Sequence, residues 1–534
     1  MSTPTYVRTE MLPPKDPPMA ASGPVKWMRE NLFSSITNSI LTILAIYFLF
    51  SLLASILPWM FHSSWTSNSL SECRDAIRAT YGEGTTGACW AVIRERYAQL
   101  LFGFYPSELY WRPILAFVLM LVAIAPVLFA NLPRQMLAFT AIFPFVVFFL
   151  LWGGTIWVPL AAMAGFVLGY FCLTMLPRYT GTLGATIAAI LVPILWWLLL
   201  AGPVVSELNR ISAGFLHDGY IARQEQVVSG LEAKLTDTAL SADEVKALES
   251  DRDAAKRMLD EANGVEDQVK LIAGLKSDMA AAIAAGDQDK AAEIRNSYDG
   301  AVSALNADYA EIGRIGLHPV ESAKFGGFML SVTIGITGIA LSLPLGILLA
   351  LGRQSNLFVV RSLCIGFIEF IRGVPLITLL FVASTLLNYF LPPGTVFDLI
   401  LRVMIMVTVF ASAYMAEVIR GGLAALPKGQ YEAADALGLD YWKSMRLIIM
   451  PQALKIAIPS IVSNFIGLFK DTTLVSIIGL YDPIGLTGAI RADQNWNGIV
   501  WELYGFIALM FWIVCFSMSR YSMYLERKLQ TGHR

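Results

Sequence analysis

"YEAADALGLDYWKSMRLIIMP", residues 431–451, decides how this chain is read. It lies between two segments greasy enough to span a membrane, yet it carries charge, a central glycine and apolar residues at helical spacing. Residues 432–437 are predicted to form a short helix, which Gly438 ends because glycine accepts the left-handed conformation of a sharp turn. Asp440 suits the N-cap of a second helix running to about Met450, before Pro451. Ala433 and Ala434 leave one face nearly flat, so another protein's backbone can approach closely. Leu437, Trp442, Met445 and Ile449 offer apolar contact area. No pair of residues here could do acid–base or nucleophilic chemistry. The hairpin is suited to docking and to transmitting force.

The surroundings are those of a polytopic membrane protein. The 534 residues are 56% hydrophobic and 15% charged, with a mean hydropathy of +0.59; together these exclude an ordinary soluble enzyme. The net charge of −2 gives no basic field for nucleic acid. Five cysteines contain no CxxC and four histidines show no ligand spacing, so no metal site is expected. There is no G-x-x-x-x-G-K-[ST] phosphate loop, so ATP is not expected to bind this chain by that route. Residues 1–35 are Pro-rich and polar, lack the apolar core of a signal peptide, and read as a disordered cytoplasmic tail.

A span needs about 20 mostly apolar residues to cross about 30 Å of hydrocarbon. The first candidate covers roughly residues 36–57, and four more lie at 113–131, 136–152, 155–176 and 183–205. After a polar insert, five follow at 325–351, 363–390, 397–419, 459–480 and 500–520. The expected count is ten, with eight as the fallback, because the third and fourth segments are separated only by Gly153-Gly154 and could be one re-entrant unit. Lys428, Lys443, Arg446 and Lys455 place loop 421–458 on the cytoplasmic side, as do Arg353 and Arg361 for the turn after the sixth span. Both termini then fall in the cytoplasm, and residues 206–324 fall outside. The expected organisation is an N-terminal bundle at 36–205 with an outer loop at 59–112, the insert at 206–324, and a C-terminal part at 325–534.

Two outer segments are long. Loop 59–112 contains Cys73 and Cys89, which could pair in an oxidising compartment or remain two thiols. Residues 220–315 hold 19 Asp/Glu against 11 Lys/Arg. Apolar residues recur there at helical spacing: Leu231/Leu235, Val245/Leu248 and Val265/Val269/Ile272. Ser241–Glu244 reads as a capping box, and Asn263-Gly264 and Gly286-Asp287 as stop-and-restart points. Three or four antiparallel helices are expected, a helical hairpin or coiled-coil domain that is either a solvated spacer or a contact surface.

Glu432-Ala433-Ala434-x3-Gly438-x9-Ile448-x-Met450-Pro451 resembles the EAA loop of permease subunits in bacterial ABC importers, with Met450 where the family usually has Leu. "FIEFIRGVPLI" at 367–377 and "FIGLFKDTTLVSIIGLYD" at 465–482 are similar to the polar amino-acid uptake branch. The likeness covers roughly residues 325–530. The extra leading spans look like the larger permease of the general L-amino-acid (Aap/Bzt-type) importers, although the roughly 110-residue insert departs from that pattern. The resemblance implies an all-α fold with a C-terminal five-helix type I permease core. It also implies a coupling helix seated in a separate ATPase that binds ATP and Mg, a second permease subunit (identical or different), and a periplasmic amino-acid-binding protein. The location it implies is the bacterial inner membrane. Glu432, Ala433, Ala434, Gly438, Trp442 and Pro451 would then be the ATPase-coupling residues.

Ionisable groups at membrane depth call for a functional hypothesis. Glu369 and Arg372, three apart, could pair with each other or face a pathway. Glu417 and Arg420 have the same spacing at a span end, where snorkelling is an ordinary alternative. Asn464, Lys470, Asp471 and Thr472 in the ninth segment could line a route for a zwitterion, which needs an anion for its ammonium and a cation for its carboxylate; they could equally pair with a neighbouring span. Pro344, Pro375 and Pro459 are candidate kinks. Two other classes stay open: a solitary ion-coupled secondary amino-acid transporter, which should show internal repeats and broken helices in both halves, and a structural or sensor protein working through its external helices.

Overall fold

The computed structural model describes residues 23–129, 131–236, 242–386 and 398–530, and they are overwhelmingly helical. Among the described residues, eight helices are long and apolar enough to cross a membrane. A ninth arises if Phe358–Gly373 and Leu376–Leu386, bent by 101° at Gly373–Pro375, count as one span. The third expected segment is the 17-residue apolar helix Met136–Trp152, at the short end of what hydrocarbon thickness allows. The expected segments are thus helical where the structure describes them, and the seventh is broken beside Pro375, one of the three candidate kinks. Its end, with residues 387–397, lies outside the described residues, as do Ser241 of the capping box and the first 22 residues of the tail. Within the rest of that tail Gly23–Asn31 is an α-helix.

Two compact units divide the chain. The first comprises Met1–Leu101, Ala425–Ser476 and Pro483–Arg534. Its Ile36–Phe61 helix buries none of its apolar residues. The loop that follows carries the helices Leu70–Tyr81 and Ala91–Phe102, joined by a disulfide between Cys73 and Cys89. These pack on Leu486, Ile490, Trp496 and Leu503 in one core. Further along the unit, Met450–Asp471 packs against Trp501–Gln530, with Phe469 and Phe511 rings 5.3 Å apart.

Pro451 does not close the helix that begins at Tyr441, contrary to the sequence reading. Over Met445–Ile449 the turn widens, so that the Met450 N–H reaches the Met445 carbonyl. One wide turn places Pro451 in the first turn of Met450–Asp471, where its missing N–H costs little. A continuous helical segment therefore runs from Tyr441 to Ile478, beginning well before the expected ninth span.

The second unit comprises Phe102–Ala424 and Ile477–Asp482. Met120, Ala123 and Phe143 of the N-terminal bundle pack with Val332 and Ile336 of Gly327–Arg353. Gly165 and Gly169 let Trp157–Met175 close on the next helix. A Cβ on Gly165 would lie 2.3 Å from the Trp197 indole nitrogen, and one on Gly169 2.9 Å from Pro193, the close approach that small residues permit between membrane helices. The insert is three helices, Ala201–Leu235, Ala242–Ala284 and Gln288–Ile312. Their pairings run antiparallel: Lys256 bridges Glu232 at 2.7 Å, and Gln268 donates to Asp308 at 2.7 Å. The first is continuous with apolar helix from Gly184 onward, so no joint separates span from insert. Asn263-Gly264 is not a stop either; the middle helix passes straight through it. Gly286 (φ 78) and the N-cap Asp287 do break the chain as expected. The insert's core is thin, built from Ala213, Tyr220, Ala262 and Ile312. At its base Gly154–Thr155 pairs antiparallel with Gly316–Leu317, and buried Arg112 donates to the His318 carbonyl at 2.6 Å.

Candidate functional site

The hairpin at 428–450 is built by two capping devices. Lys428–Ala436 ends with Gly438 at φ 69. The Gly438 N–H donates to the Asp435 carbonyl at 2.9 Å and the Leu439 N–H to the Ala434 carbonyl at 3.2 Å, the double bond of a Schellman turn. Asp440 then caps the next helix, its carboxylate accepting the Lys443 N–H at 2.8 Å. That hydrogen bond holds the Asp440 carboxyl below its usual range. Gln452 donates to Gln430 at 2.9 Å, tying the arms together.

Burial sorts the expected contact residues. Ala434 is fully buried, on a helix packed against the Met445–Ile449 turn, so its small size serves the hairpin rather than a partner. Met445 and Ile449 are also buried and offer no docking area, contrary to the sequence reading. Glu432, Ala433 and Ala436 are exposed. Leu437 is 73% and Trp442 67% exposed, with Tyr441 and Trp442 rings edge to face at 5.4 Å. The result is a rigid knob with a leucine and a tryptophan on its outside.

The second feature is an ionic cluster at helix ends in the other unit. Glu417 accepts from Arg420 Nε at 2.8 Å, from Arg353 at 3.2 Å and lies 3.8 Å from Arg372. Arg353 also reaches Glu369 at 3.1 Å, and Arg372 lies over the Tyr414 ring. Glu369 and Arg372 therefore do not form the simple i,i+3 pair that their spacing suggested. Both join a network binding Gly327–Arg353, Phe358–Gly373 and Leu399–Ala424, which argues for a clasp rather than for pathway residues. Arg353 was legible only as a topology marker, since its partner lies 64 residues away. Arg402, buried near the start of Leu399–Ala424, donates to the Ser384 carbonyl at 3.0 Å; an arginine at that depth was a signal the sequence offered and the sequence reading did not use.

In the ninth segment Asn464 turns its amide to the Ser460 carbonyl of its own helix. Thr472 is buried and donates to the Phe469 carbonyl. Lys470 is exposed and Asp471 half-buried; among the described residues neither forms an ion pair. The loop after the first span is clamped near the start of the last one: the Cys89 N–H donates to Glu502 at 2.8 Å, Arg96 to Asp493 at 2.6 Å and the Trp496 indole to Glu95 at 3.0 Å.

A predominantly helical, multi-pass chain with a capped, exposed hairpin between its apolar helices has the build of a membrane transport subunit. The model of the binding-protein-dependent transport system inner membrane component matches residues 342–531. The chain is 46% identical over 536 residues to the glutamate/glutamine/aspartate/asparagine transport system permease protein BztC of Rhodobacter capsulatus, covering 100% of both. It is 33% identical to the inner membrane amino-acid ABC transporter permease protein YhdY of Escherichia coli, covering 97% of each. A shorter relative, the probable glutamine ABC transporter permease protein GlnP of Bacillus subtilis, is 32% identical over 216 residues, 40% of this chain and 97% of that one. The chain belongs to the binding-protein-dependent inner membrane components and is a permease subunit of an ABC importer. It is not an enzyme; ATP hydrolysis belongs to a separate subunit, and the family operates with a binding protein. The solitary-carrier and sensor readings fall with that membership.

Proposed function

We propose that this chain carries polar amino acids, with the glutamate, glutamine, aspartate and asparagine of its Rhodobacter relative's name as the first candidates. It forms half of the translocation path in the bacterial inner membrane, beside a second permease subunit, with both termini in the cytoplasm and residues 206–324 in the periplasm. The hairpin at 428–450 is the ATPase-coupling element. When the ATPase subunits close on ATP and Mg, the groove that holds Leu437 and Trp442 moves. The Tyr441–Ile478 segment, continuous with the knob, carries that motion into the membrane. A continuous helical connection transmits force where a flexible loop would absorb it.

The observation that best supports this reading is the exposed Leu437–Trp442 knob on a hairpin whose shape is fixed from within by Ala434 and Gly438. Lys470, exposed and outside any ion pair among the described residues, is the candidate carboxylate partner of the substrate, and Asp471 the candidate ammonium partner. The test is co-purification of the tagged chain in mild detergent, wild type against Gly438→Pro. Co-purification of an ATPase subunit with wild type but not with the variant supports the coupling role. Equal recovery with both assigns the docking surface elsewhere.

A further inference from the structure

We infer that the Phe358–Gly373 helix lies in the plane of the membrane interface and seats an apolar edge among anionic lipids. The first step is direction. Leu376–Leu386 runs antiparallel to the 26-residue apolar helix Leu399–Ala424. Arg372, before the bend, lies near Glu417; Leu379 packs with Ala413; Ala383 and Ser384 meet Arg402. As one chain advances, the other retreats, so Leu376–Leu386 follows the spanning direction. Phe358–Gly373 stands at 101° to it and therefore runs close to parallel with the membrane plane.

The second step is depth. Arg353 is the last residue of the 27-residue apolar helix Gly327–Arg353, and it pairs with Glu369 on the bent helix. The bent helix is therefore held where spans end.

The third step is the helix surface. At about 100° per residue, Val359, Leu363, Phe367 and Phe370 fall on one edge. They are 63%, 68%, 37% and 66% exposed. Ile368 and Ile371, on another sector, are buried, in the direction of the spans. Ser362 and Glu369 occupy the third and are exposed. From Val359 onward hydrocarbon, protein and water each have a side, as in helices that lie at an interface; Phe358, the first residue of the helix and 81% exposed, stands outside that pattern. The apolar edge offers on the order of 400 Å², well short of the roughly 800 Å² per partner of a stable protein interface, which favours lipid over a second subunit. Arg361 is exposed and forms no ion pair among the described residues. With Arg353, Arg372 and Arg420 it outnumbers Glu369 and Glu417, so the local charge fits anionic headgroups.

The test uses the complete transporter in vesicles of phosphatidylethanolamine and phosphatidylglycerol. Cys172, Cys364 and Cys515 are replaced by serine, and a nitroxide is attached in turn to cysteines placed by Val359→Cys, Leu363→Cys, Phe367→Cys and Ser362→Cys. Relaxation by oxygen should exceed relaxation by a water-soluble nickel chelate at the first three positions, with the order reversed at the fourth. Exchanging phosphatidylglycerol for phosphatidylcholine should shift the first three toward water, and Arg361→Gln should abolish that shift. Low access to both reagents at Leu363→Cys and Phe367→Cys would hand the edge to another protein chain. Greater access to nickel would hand it to solvent, and indifference to phosphatidylglycerol would remove the anionic preference. Each of these results overturns the proposal.

Discussion

Arg353 and Glu417, 64 residues apart, meet at 3.2 Å and tie the end of one spanning helix to another. Glu417 is the hub, since Arg420 and Arg372 converge on the same carboxylate. Glu417→Gln leaves three guanidinium groups close together with Glu369, on Arg353, as the one carboxylate still paired with them. Charge-assisted hydrogen bonds contribute about 1.5–3 kcal/mol each, so a loss of about 2 kcal/mol is expected at this partly exposed site. Arg353→Gln should cost less, about 1 kcal/mol, because Glu417 keeps its other partners. Thermal unfolding in detergent reads both, and equal effects would show that Glu417 is not the centre of the clasp.

Gly438 offers a graded test of the hairpin. A Cβ there meets nothing within 4 Å, so substitution is resisted by the backbone alone. At φ 69 an L-residue costs roughly 1–2 kcal/mol, and asparagine less. ATPase recovery should therefore fall in the order Gly438, Gly438→Asn, Gly438→Ala, Gly438→Val. Trp442→Ala leaves the hairpin intact and removes contact area; a buried interface tryptophan is worth roughly 2 kcal/mol or more, about 30-fold in affinity. Affinity that ignores Trp442→Ala would place the ATPase on another face.

The outer disulfide should matter for stability rather than for coupling. Cys73 and Cys89 are 16 residues apart, and closing a loop of that length contributes roughly 3 kcal/mol. The paired variant Cys73→Ser/Cys89→Ser should speed proteolysis between the helices Leu70–Tyr81 and Ala91–Phe102 while ATPase recovery holds. Mass spectrometry of non-reduced peptides checks the bond itself.

What the sequence disclosed follows the range of the forces involved. Hydropathy located the apolar helices, eight or nine of which are long enough to span, and turn chemistry located Gly438 and Asp440, because those signals act within a few residues. Pro375 was legible as a candidate kink but its 101° bend was not, because a proline in an apolar run permits a kink without setting its angle. The wide turn at Met445–Ile449 was hidden for a related reason: Pro451 reads as a stop unless the preceding turn absorbs the missing donor. Burial was the least legible quantity. Ala434, Met445 and Ile449 looked like contact residues because periodicity marks an apolar face without saying what covers it. The Arg353–Glu417 bond needed the fold itself.

The Asp440 cap has a definite pH behaviour. Its carboxyl is held low by the Lys443 N–H, so its stabilising effect is complete above the ordinary carboxylate pKa of about 3.9 and is lost as pH falls through the lowered value. Hydrogen exchange at Lys443 should therefore show no cap-dependent change between neutral and mildly acidic solution. Asp440→Ala should raise that exchange at every such pH, and Asp440→Asn, which keeps an acceptor, should raise it less. A cap-dependent rise already at mildly acidic pH would mean that the carboxyl is not held low.

The three-helix insert can be shortened while Gly313 and the strand pair at its base are kept. Gly313 packs tightly there, with a Cβ at that position lying 2.4 Å from the Asn209 carbonyl oxygen, and the Gly154–Thr155/Gly316–Leu317 pair closes the same end. Joining Ile221 to Asp308 through a short Gly/Ser linker removes the outer stalk and takes Ala262 from the core it shares with Ala213, Tyr220 and Ile312. The shortened chain should reach the membrane, keep its Cys73–Cys89 bond and recover its ATPase normally. If the stalk is the docking surface for the binding protein, stimulation of ATP hydrolysis by substrate-loaded binding protein should fall at least tenfold, equivalent to about 1.4 kcal/mol of lost affinity. Unchanged stimulation would reduce the acidic insert to a solvated spacer. Loss of ATPase recovery as well would instead show that the stalk supports the fold, and separate measurement of the two distinguishes these results.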